Sequence, residues 1–147
     1  MLIIKANLAD LVEAANNLSA NDLADLNAMK EGRDPADVFC NALDETTQAI
    51  KIRGRVLAVG GHLNGGVWFV TTTLVSALPL AERFRFYRML KNYLSKIKIE
   101  LPRGMELTNC VSVENRAHVK LLEKLGATFQ DGYVVSPAGF PFKQFWL

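Results

Sequence analysis

The first third of the chain shows apolar residues at helical spacing. A short apolar run at residues 2–5 predicts a strand, and Asn7 then precedes a stretch whose apolar side chains share one face of a helix. Ser19, with Asp22 three positions later, is typical of a capped helix start, and Gly32 is expected to end this second helix. Its inward residues are expected to be Leu23, Leu26 and Met29.

A third, shorter helix is predicted from Asp34-Pro35 to about Leu43, because an acidic cap followed by a first-turn proline favours a helix start. The period then changes from helical to alternating. The expected strands are residues 46–52, 56–63 and 67–73. Asn64-Gly65 between the last two favours a type I′ turn, so these strands should form an antiparallel meander.

The longest predicted helix begins at Ser76 or Pro79 and ends before Pro102. Its apolar stripe is expected to be Leu80, Phe84, Tyr87, Leu90, Tyr93, Leu94 and Ile97. The remaining elements are a strand at 106–113, a helix that begins at Asn115, and a hairpin of residues 127–135 and 140–146. This order predicts a mixed α/β fold in one domain, residues 1–147, with the long helix as a crossover between parallel neighbouring strands.

Composition favours one soluble domain and excludes several classes of protein. Half of the 147 residues are apolar, and the two cysteines, Cys40 and Cys110, lack the spacing of a disulfide framework or a zinc site. No metal is therefore expected. The amino terminus lacks the pattern of a secretory signal, which predicts a cytoplasmic location, and no uncharged run is long enough for a membrane span.

Charge is divided unevenly along the chain. Residues 1–50 hold three basic and nine acidic residues, a net charge of −6, whereas residues 51–147 hold fourteen basic and six acidic residues, a net charge of +8. The basic residues on and just after the long helix could attract the phosphates of a cofactor or of nucleic acid. Nucleic acid is the less favoured partner, because no interleaved aromatic platform accompanies the charge. A solvated helix face, partly neutralised by the acidic half, is the favoured explanation of the cluster.

The segment from Asn115 to Phe129 resembles the late helix of the GNAT acetyltransferases. That family carries a pattern similar to Asn-x-x-Ala-Ile-x-Leu-Tyr-Glu-Lys-Leu-Gly-Phe, and this chain reproduces the asparagine and the Leu-x-Glu-Lys-Leu-Gly end that closes at Gly126. The order of the elements is also that of the family, so the resemblance implies a GNAT-like fold. Leu122 stands where the family pattern has a tyrosine that reprotonates the departing thiolate, and leucine cannot donate a proton.

The resemblance implies acetyl-CoA as a cofactor. The residues expected to contact it are Phe69, Val70, Thr71, Thr72, Arg83 and Asn115. Any retained cleft is expected between residues 69–72 and 110–115, where the two parallel strands separate, with backbone groups of Val70 and Thr72 facing a pantetheine-like arm. In the family, glycines in the loop before the long helix let backbone amides approach the pyrophosphate. Residues 71–83 contain no glycine, Pro79 removes one amide, and Glu82 places a negative charge in the first turn, so the site is predicted to be degenerate.

A base for an incoming amine is the second requirement of acetyl transfer. The family often draws this base from its fourth strand, but residues 67–73 contain neither a carboxylate nor a histidine. The remaining candidates are His62, His118 and Glu114. For each of them a structural or surface role is the alternative.

A narrower resemblance is to the internal virion protein A group of short-tailed lytic bacteriophages. It rests on residues 68–71, on Arg83-Phe84-Arg85, and on the histidine and leucine at positions 118 and 122. It implies a phage product that is made in the host cytoplasm, can associate with the virion, and acts in virion morphogenesis or on a host target.

Three functions therefore remain open. The first is an interaction or assembly protein on a degenerate GNAT scaffold, with a host or phage protein as partner and a homodimer as a possible form. The second is an acetyl-CoA-dependent N-acetyltransferase that modifies a host or phage protein. The third is a binder of a host enzyme or of nucleic acid that uses the basic helix or the aromatic carboxy terminus. That terminus contains Phe140, Phe142, Phe145 and Trp146, which either complete the core or form a partner surface.

Overall fold

Eight strands form one sheet in a computed structural model that describes residues 1–147. The strands are β1 Leu2–Lys5, β2 Gln48–Ile52, β3 Arg55–Leu63, β4 Gly66–Thr71, β5 Thr108–Ser112, β6 Thr128–Phe129, β7 Val134–Val135 and β8 Pro141–Trp146. Their spatial order is β1-β2-β3-β4-β5-β8-β6, and β7 pairs with β8. All neighbours are antiparallel except β4 and β5, which are parallel, so the crossover predicted from the element order is confirmed.

Six helices connect the strands. They are α1 Leu8–Asn16, α2 Ala20–Met29, α3 Pro35–Asn41, α4 Leu74–Ala77, α5 Leu80–Glu100 and α6 Arg116–Leu125. None of them combines the length and the apolar character that crossing a bilayer would need. The predicted caps Asn7, Ser19, Asp34 and Asn115 each accept a hydrogen bond from a backbone amide of the first turn.

The strands β2, β3 and β4 form the predicted antiparallel meander. Both hairpin turns place two consecutive residues at positive φ, namely Arg53-Gly54 and Asn64-Gly65, as a type I′ turn requires. Gly60 of β3 faces the backbone of β4 so closely that a Cβ atom there would lie 2.5 Å from the carbonyl oxygen of Trp68. The glycine therefore allows the two strands to pair.

The core has two parts, one on each face of the sheet. Helices α1 and α3 cover one face, where Leu11 and Phe39 pack with Val56 and Val59 of β3. Helices α5 and α6 cover the other face, where Leu90, Leu94, Ile97, Leu122 and Leu125 pack with side chains of β3, β4, β5 and β8. Helix α2 lies beside β5 and α6, where Asp22 reaches Thr71 of β4 and Asp25 reaches Ser112 of β5.

Several predicted details of the helices are wrong. Helix α2 ends at Met29, and Gly32 lies in the turn that follows. Its buried residues are Asp22 and Ala28, whereas Leu23, which was expected to face inward, is 40% exposed. The physical reason is that the side of α2 that faces the strands carries Asp22 and Asp25, which bind Thr71 and Ser112, and not a continuous apolar stripe.

The apolar stripe of the long helix also differs from the prediction at its amino-terminal end. Leu80 and Phe84 are 69% and 59% exposed, and Phe86 is buried in their place. Leu90, Leu94 and Ile97 are buried as predicted. Near its start α5 therefore buries a different face from the one that helical spacing predicted.

The carboxy-terminal segment completes the core. Phe142 and Phe145 of β8 are 1% and 3% exposed, whereas Phe140 is 38% exposed. Strand β8 pairs with β5 on one side and with β6 and β7 on the other. The sequence left a core role and a partner surface as alternatives for these aromatic residues, and the structure places two of them inside.

Candidate functional site

The parallel strands β4 and β5 separate after a single point of pairing. Only Gly66 and Thr108 are paired along these strands, and the side-chain amide of Asn109 donates to the carbonyl oxygen of Val67 at 2.7 Å. Beyond this point, residues 69–72 and residues 110–115 border an opening in the sheet. We call this opening the strand gap.

Two carboxylates of α2 bridge the strand gap. Oδ2 of Asp22 accepts hydrogen bonds from the backbone amide of Thr71 at 2.8 Å and from its hydroxyl at 2.7 Å. Oδ2 of Asp25 accepts from the backbone amide of Ser112 at 3.1 Å. Two backbone amides at the strand gap, those of Thr71 and Ser112, are thus satisfied by side chains of the protein itself.

Asn115 joins the two carboxylates. Its Nδ2 lies 3.3 Å from Oδ1 of Asp22 and 3.1 Å from Oδ2 of Asp25, while its Oδ1 caps α6 by accepting from the amide of His118 at 3.2 Å. Asn115 is only 4% exposed. Every polar atom of this amide therefore has a partner inside the protein.

His118 closes the network. Its Nδ1 lies 3.1 Å from Oδ1 of Asp22, and its ring stacks on Phe69 with the ring centroids 4.6 Å apart. Asp22 thus contacts β4 through Thr71 and α6 through His118. A histidine whose Nδ1 is held by a carboxylate has a fixed ring orientation.

The two aspartates experience opposite electrostatic effects. Burial raises the pKa of Asp22, but the bonds from His118 and Thr71 together outweigh burial and hold this pKa below its usual value of 3.8. Burial raises the pKa of Asp25 above the same usual value, because the hydrogen bonds from Asn115 and Ser112 offset only part of the effect of burial. Asp22 is thus the better stabilised carboxylate of the pair.

A cavity lies on each side of this network. The smaller, of about 260 Å³, is walled mainly by apolar side chains of α2, α3, β4 and β5. The larger, of about 660 Å³, lies between the amino-terminal half of α5 and the outer side of α6, and Arg83, Lys120 and Lys124 line it. Asp22 and His118 line both cavities, so this pair stands between them.

The loop before α5 is not built to hold a pyrophosphate. Pro79 stands at the helix cap without an N–H group, and the carbonyl oxygens of Ser76 and Leu78 accept hydrogen bonds from the guanidinium of Arg83, at 2.8 Å for Leu78. The cation that would meet a phosphate is therefore engaged by the loop itself. Glu82, in the first turn, is paired with Arg53 at 3.0 Å. Carbonyl groups and a carboxylate at this position disfavour an anion, so the residues present do not fit the pyrophosphate of coenzyme A.

The expected cofactor residues are divided between the two cavities. Phe69 and Val70 line the smaller one, and Thr71, Thr72, Arg83 and Asn115 line the larger one. The backbone amide of Thr72, which was expected to face a ligand, donates to the carbonyl oxygen of Leu57 at 2.8 Å, and its hydroxyl donates to Val56. Whether the six residues contact a cofactor stays a prediction.

The candidate bases differ in position. His118 lines both cavities, whereas His62 and Glu114 line neither. Sequence reasoning missed Asp22 and Asp25 as site residues. Asp22 lies three positions after the cap Ser19, a spacing that predicts a role in the local helix cap. Its carboxylate instead contacts Thr71 of β4 and His118 of α6. Asp25 carried no signal.

Comparison with known proteins gives two kinds of match. The model of the family described as "Bacteriophage T7, probable scaffold protein Gp13" matches residues 46–134. The probable scaffold protein gp13 of Escherichia phage T7 is 31% identical over 84 residues, which are 57% of this chain and 59% of that protein. The matched region thus spans less than two thirds of the length of this relative.

Solved structures show the same fold. Smu.2055 from Streptococcus mutans superposes with a TM-score of 0.65 at 12% identity, over 99% of this chain and 97% of that chain. A GNAT-family acetyltransferase from Bacillus cereus gives 0.64 at 11% identity, over 99% and 95%. The ribosomal-protein-S18-alanine N-acetyltransferase from Escherichia coli gives 0.59 at 15% identity, over 99% and 90%. The predicted GNAT-like fold is confirmed, and identities this low show the fold alone.

Proposed function

The chain belongs to the family of the bacteriophage T7 probable scaffold protein Gp13, and we propose that it acts in virion morphogenesis by binding other phage proteins on a GNAT scaffold that no longer holds acetyl-CoA. It is made in the cytoplasm of the infected host and associates with the growing particle, as the resemblance to the internal virion protein A group implies. Its partner is a phage protein, with a host protein as the other candidate.

The observation that carries this proposal is the bond between Asp22 and Thr71. The arm of an acetyl-CoA molecule is expected to lie in the strand gap, and there the amide and hydroxyl of Thr71 already donate to Asp22 at 2.8 and 2.7 Å. A ligand would have to displace the carboxylate of Asp22, a residue that is only 6% exposed. Displacement would leave a charge buried without its partners, which is costly.

The loop before α5 supports the same proposal. An acyl-CoA enzyme of this fold draws much of its cofactor affinity from phosphate contacts at this point, and the carbonyl groups of Ser76 and Leu78 face Arg83 instead. Neither part of the cofactor has a prepared set of partners here. The network of Asp22, Asp25, Asn115 and His118 instead fixes α2 and α6 to the sheet.

The first test is a melting experiment with saturating acetyl-CoA, free coenzyme A or buffer. A ligand at one hundred times its Kd stabilises a protein by about 2.7 kcal/mol, which for a domain of this size moves the midpoint by roughly 5–15 °C. We expect no shift with either compound. A shift of that size with acetyl-CoA would overturn the proposal of a degenerate site.

The second test concerns the particle. A phage that lacks the gene should yield fewer infectious particles, and a plasmid copy of the gene should restore the yield. A tagged copy should cosediment with particle precursors from infected cells. Normal yield without the gene, together with a tagged protein that stays at the top of the gradient, would count against a role in morphogenesis.

An acetyl-CoA-dependent N-acetyltransferase that modifies a host or phage protein is the second candidate. The observation that favours it is the cavity of about 660 Å³ beside Thr71 and Thr72, with Arg83, Lys120 and Lys124 in its lining. The melting experiment separates the two candidates, because only the enzyme needs the cofactor.

A further inference from the structure

Acidic and basic side chains lie on opposite faces of the sheet. The acidic half of the chain supplies α1 and α3, which pack against one face. The basic half supplies α5 and α6, which pack against the other face. The uneven charge along the sequence thus becomes a charge polarity across the molecule.

The acidic face carries exposed carboxylates without basic partners. Its exposed acidic residues between positions 31 and 45 are Glu31, Asp34, Asp37, Asp44 and Glu45. The only basic residue in this range is Arg33, whose guanidinium donates to the carbonyl oxygens of Leu26 and Lys30. None of the five carboxylates takes part in an ion pair within the chain.

The basic face is equally unpaired. The basic residues of α5 are Arg83, Arg85, Arg88, Lys91, Lys96 and Lys98, and no acidic residue interrupts them. Helix α6 adds Arg116, Lys120 and Lys124, and none of these nine side chains makes an ion pair within the chain. These nine basic residues outnumber the exposed Glu100 and Glu123 of the same helices, so the face has a net positive charge and attracts a surface of the opposite sign.

Both faces also expose apolar side chains. Leu80 and Phe84, which are 69% and 59% exposed, border the larger cavity, of about 660 Å³. Because this cavity lies between α5 and α6, we call it the α5–α6 groove. On the acidic half, Leu8 and Val12 of α1 are 56% and 40% exposed. Apolar residues rimmed by charge are typical of an interaction surface.

We propose that the acidic α1–α3 face of one copy of this chain docks on the basic α5–α6 groove of a second copy. The two surfaces are different patches of the same molecule, so the contact is head-to-tail. Such a contact repeats, and it produces a ring or an open chain of copies and not a closed two-fold dimer. This inference goes beyond the proposed function, because it names a second copy of this chain as a partner and needs no other phage protein.

Sedimentation velocity of the purified full-length protein tests the proposal. At about 0.1 M salt, where the screening length is about 10 Å, the sedimentation coefficient should rise with protein concentration; at about 1 M salt, where it is about 3 Å, the protein should return to a monomer. A monomer at both salt concentrations throughout the accessible concentration range would overturn the proposal. So would association that salt leaves unchanged.

Charge reversal locates the contact. Lys120→Glu with Lys124→Glu should weaken self-association by at least about tenfold, because like charges then face each other. Lys5→Glu with Lys30→Glu is the matched control, since it changes the net charge from +2 to −2 in the same way but on exposed residues of the acidic half. Equal loss in both variants would overturn the proposal. If the first variant does not fold, Arg88→Glu with Lys91→Glu replaces it on exposed positions of α5.

A mixing experiment distinguishes a head-to-tail contact from any other. Glu31→Lys with Asp37→Lys cancels the net negative charge of residues 31–45, so this variant should not associate with itself. Mixed with the Lys120→Glu, Lys124→Glu variant, it should form a one-to-one complex, because each variant keeps the face that the other needs. Failure of the mixture to associate would overturn the proposal, as would a monomeric wild-type protein whose basic face instead retards a DNA duplex. Neither result bears on acetyl-CoA binding, so this proposal and the proposed function fail separately.

Discussion

His118 and Asp22 are joined across the sheet, with Nδ1 of the histidine 3.1 Å from Oδ1 of the aspartate. They belong to α6 and α2, and the two residues are 96 positions apart in the sequence. Because Asp22 also accepts two hydrogen bonds from Thr71 of β4, one side chain holds three elements together. This pair occupies the place between the two cavities of the protein.

Asp22→Ala should lower the free energy of unfolding by about 3–5 kcal/mol, because it removes the partner of several buried polar groups. Urea unfolding measures this cost. Asp131→Ala is the control, since Asp131 is exposed and should change stability by less than about 0.5 kcal/mol. A cost at Asp22 similar to that of the control would show that the network does not stabilise the fold.

Asp22→Asn should cost more stability at about pH 7 than at about pH 3. The pKa of Asp22 is held below its usual value of 3.8 in the folded protein, so its ionisation stabilises the fold above that value, and this stabilisation is lost as the pH falls through the folded pKa. Urea unfolding of both proteins at the two pH values gives the difference. A cost that does not change with pH would contradict the lowered pKa.

Asp25→Asn should show the opposite dependence on pH. The folded pKa of Asp25 is raised above 3.8, so the wild-type protein loses stability as the pH rises from the unfolded pKa through the folded one. Asparagine keeps a carbonyl oxygen that can accept from Ser112 and Asn115 but cannot ionise. The variant should therefore gain stability relative to the wild type between about pH 3 and about pH 7, measured in the same way. A relative loss over this range would be inconsistent with the raised pKa.

Gly60→Ala should be much more destabilising than Gly61→Ala. A Cβ atom at position 60 would lie 2.5 Å from the backbone oxygen of Trp68, and the strand would have to shift. At position 61 the nearest atom is Oγ1 of Thr46 at 3.0 Å, which belongs to a side chain that can move. We expect a cost of at least about 2 kcal/mol at Gly60 and about half of that at Gly61, from urea unfolding. Equal costs would show that β3 and β4 can separate freely.

Phe142→Ala should lower the free energy of unfolding by about 3–5 kcal/mol, because this side chain is 1% exposed. Phe140→Ala should cost less than about 1 kcal/mol, because Phe140 is 38% exposed at the end of the hairpin. Thermal or urea unfolding compares the two. If Phe140 proved the more costly, the carboxy-terminal strand would pack differently from the arrangement described above.

Local signals account for most of the fold that the sequence predicted. The caps Asn7, Ser19, Asp34 and Asn115 act within one helical turn, and the turn at Asn64-Gly65 acts between adjacent strands. Such features depend on neighbours a few positions away, so a pattern in the sequence predicts them directly. The Asn115 segment resembled a known family for the same reason, since its spacing is that of one helix.

The strand gap could be located but its contents could not. Divergence of β4 and β5 follows from the element order, and the sequence therefore predicted a cleft between residues 69–72 and 110–115. Asp25 meets Ser112 over a separation of 87 positions, and Asp22 meets Thr71 over 49. No local pattern encodes contacts of that separation, because they depend on where α2 is placed by the rest of the chain.

By itself, the sequence determined the order of the elements, their caps and turns, the missing glycines of the loop before α5, and the unequal charge of the two halves. Only the tertiary structure decided that Leu80 and Phe84 are exposed while Phe86 is buried, that Arg83 is engaged by its own loop, and that the acidic and basic residues lie on opposite faces. The physical reason is that capping, turn formation and periodicity are properties of short segments. Burial, hydrogen bonding across the sheet and the sign of the charge on a surface arise only when distant segments meet.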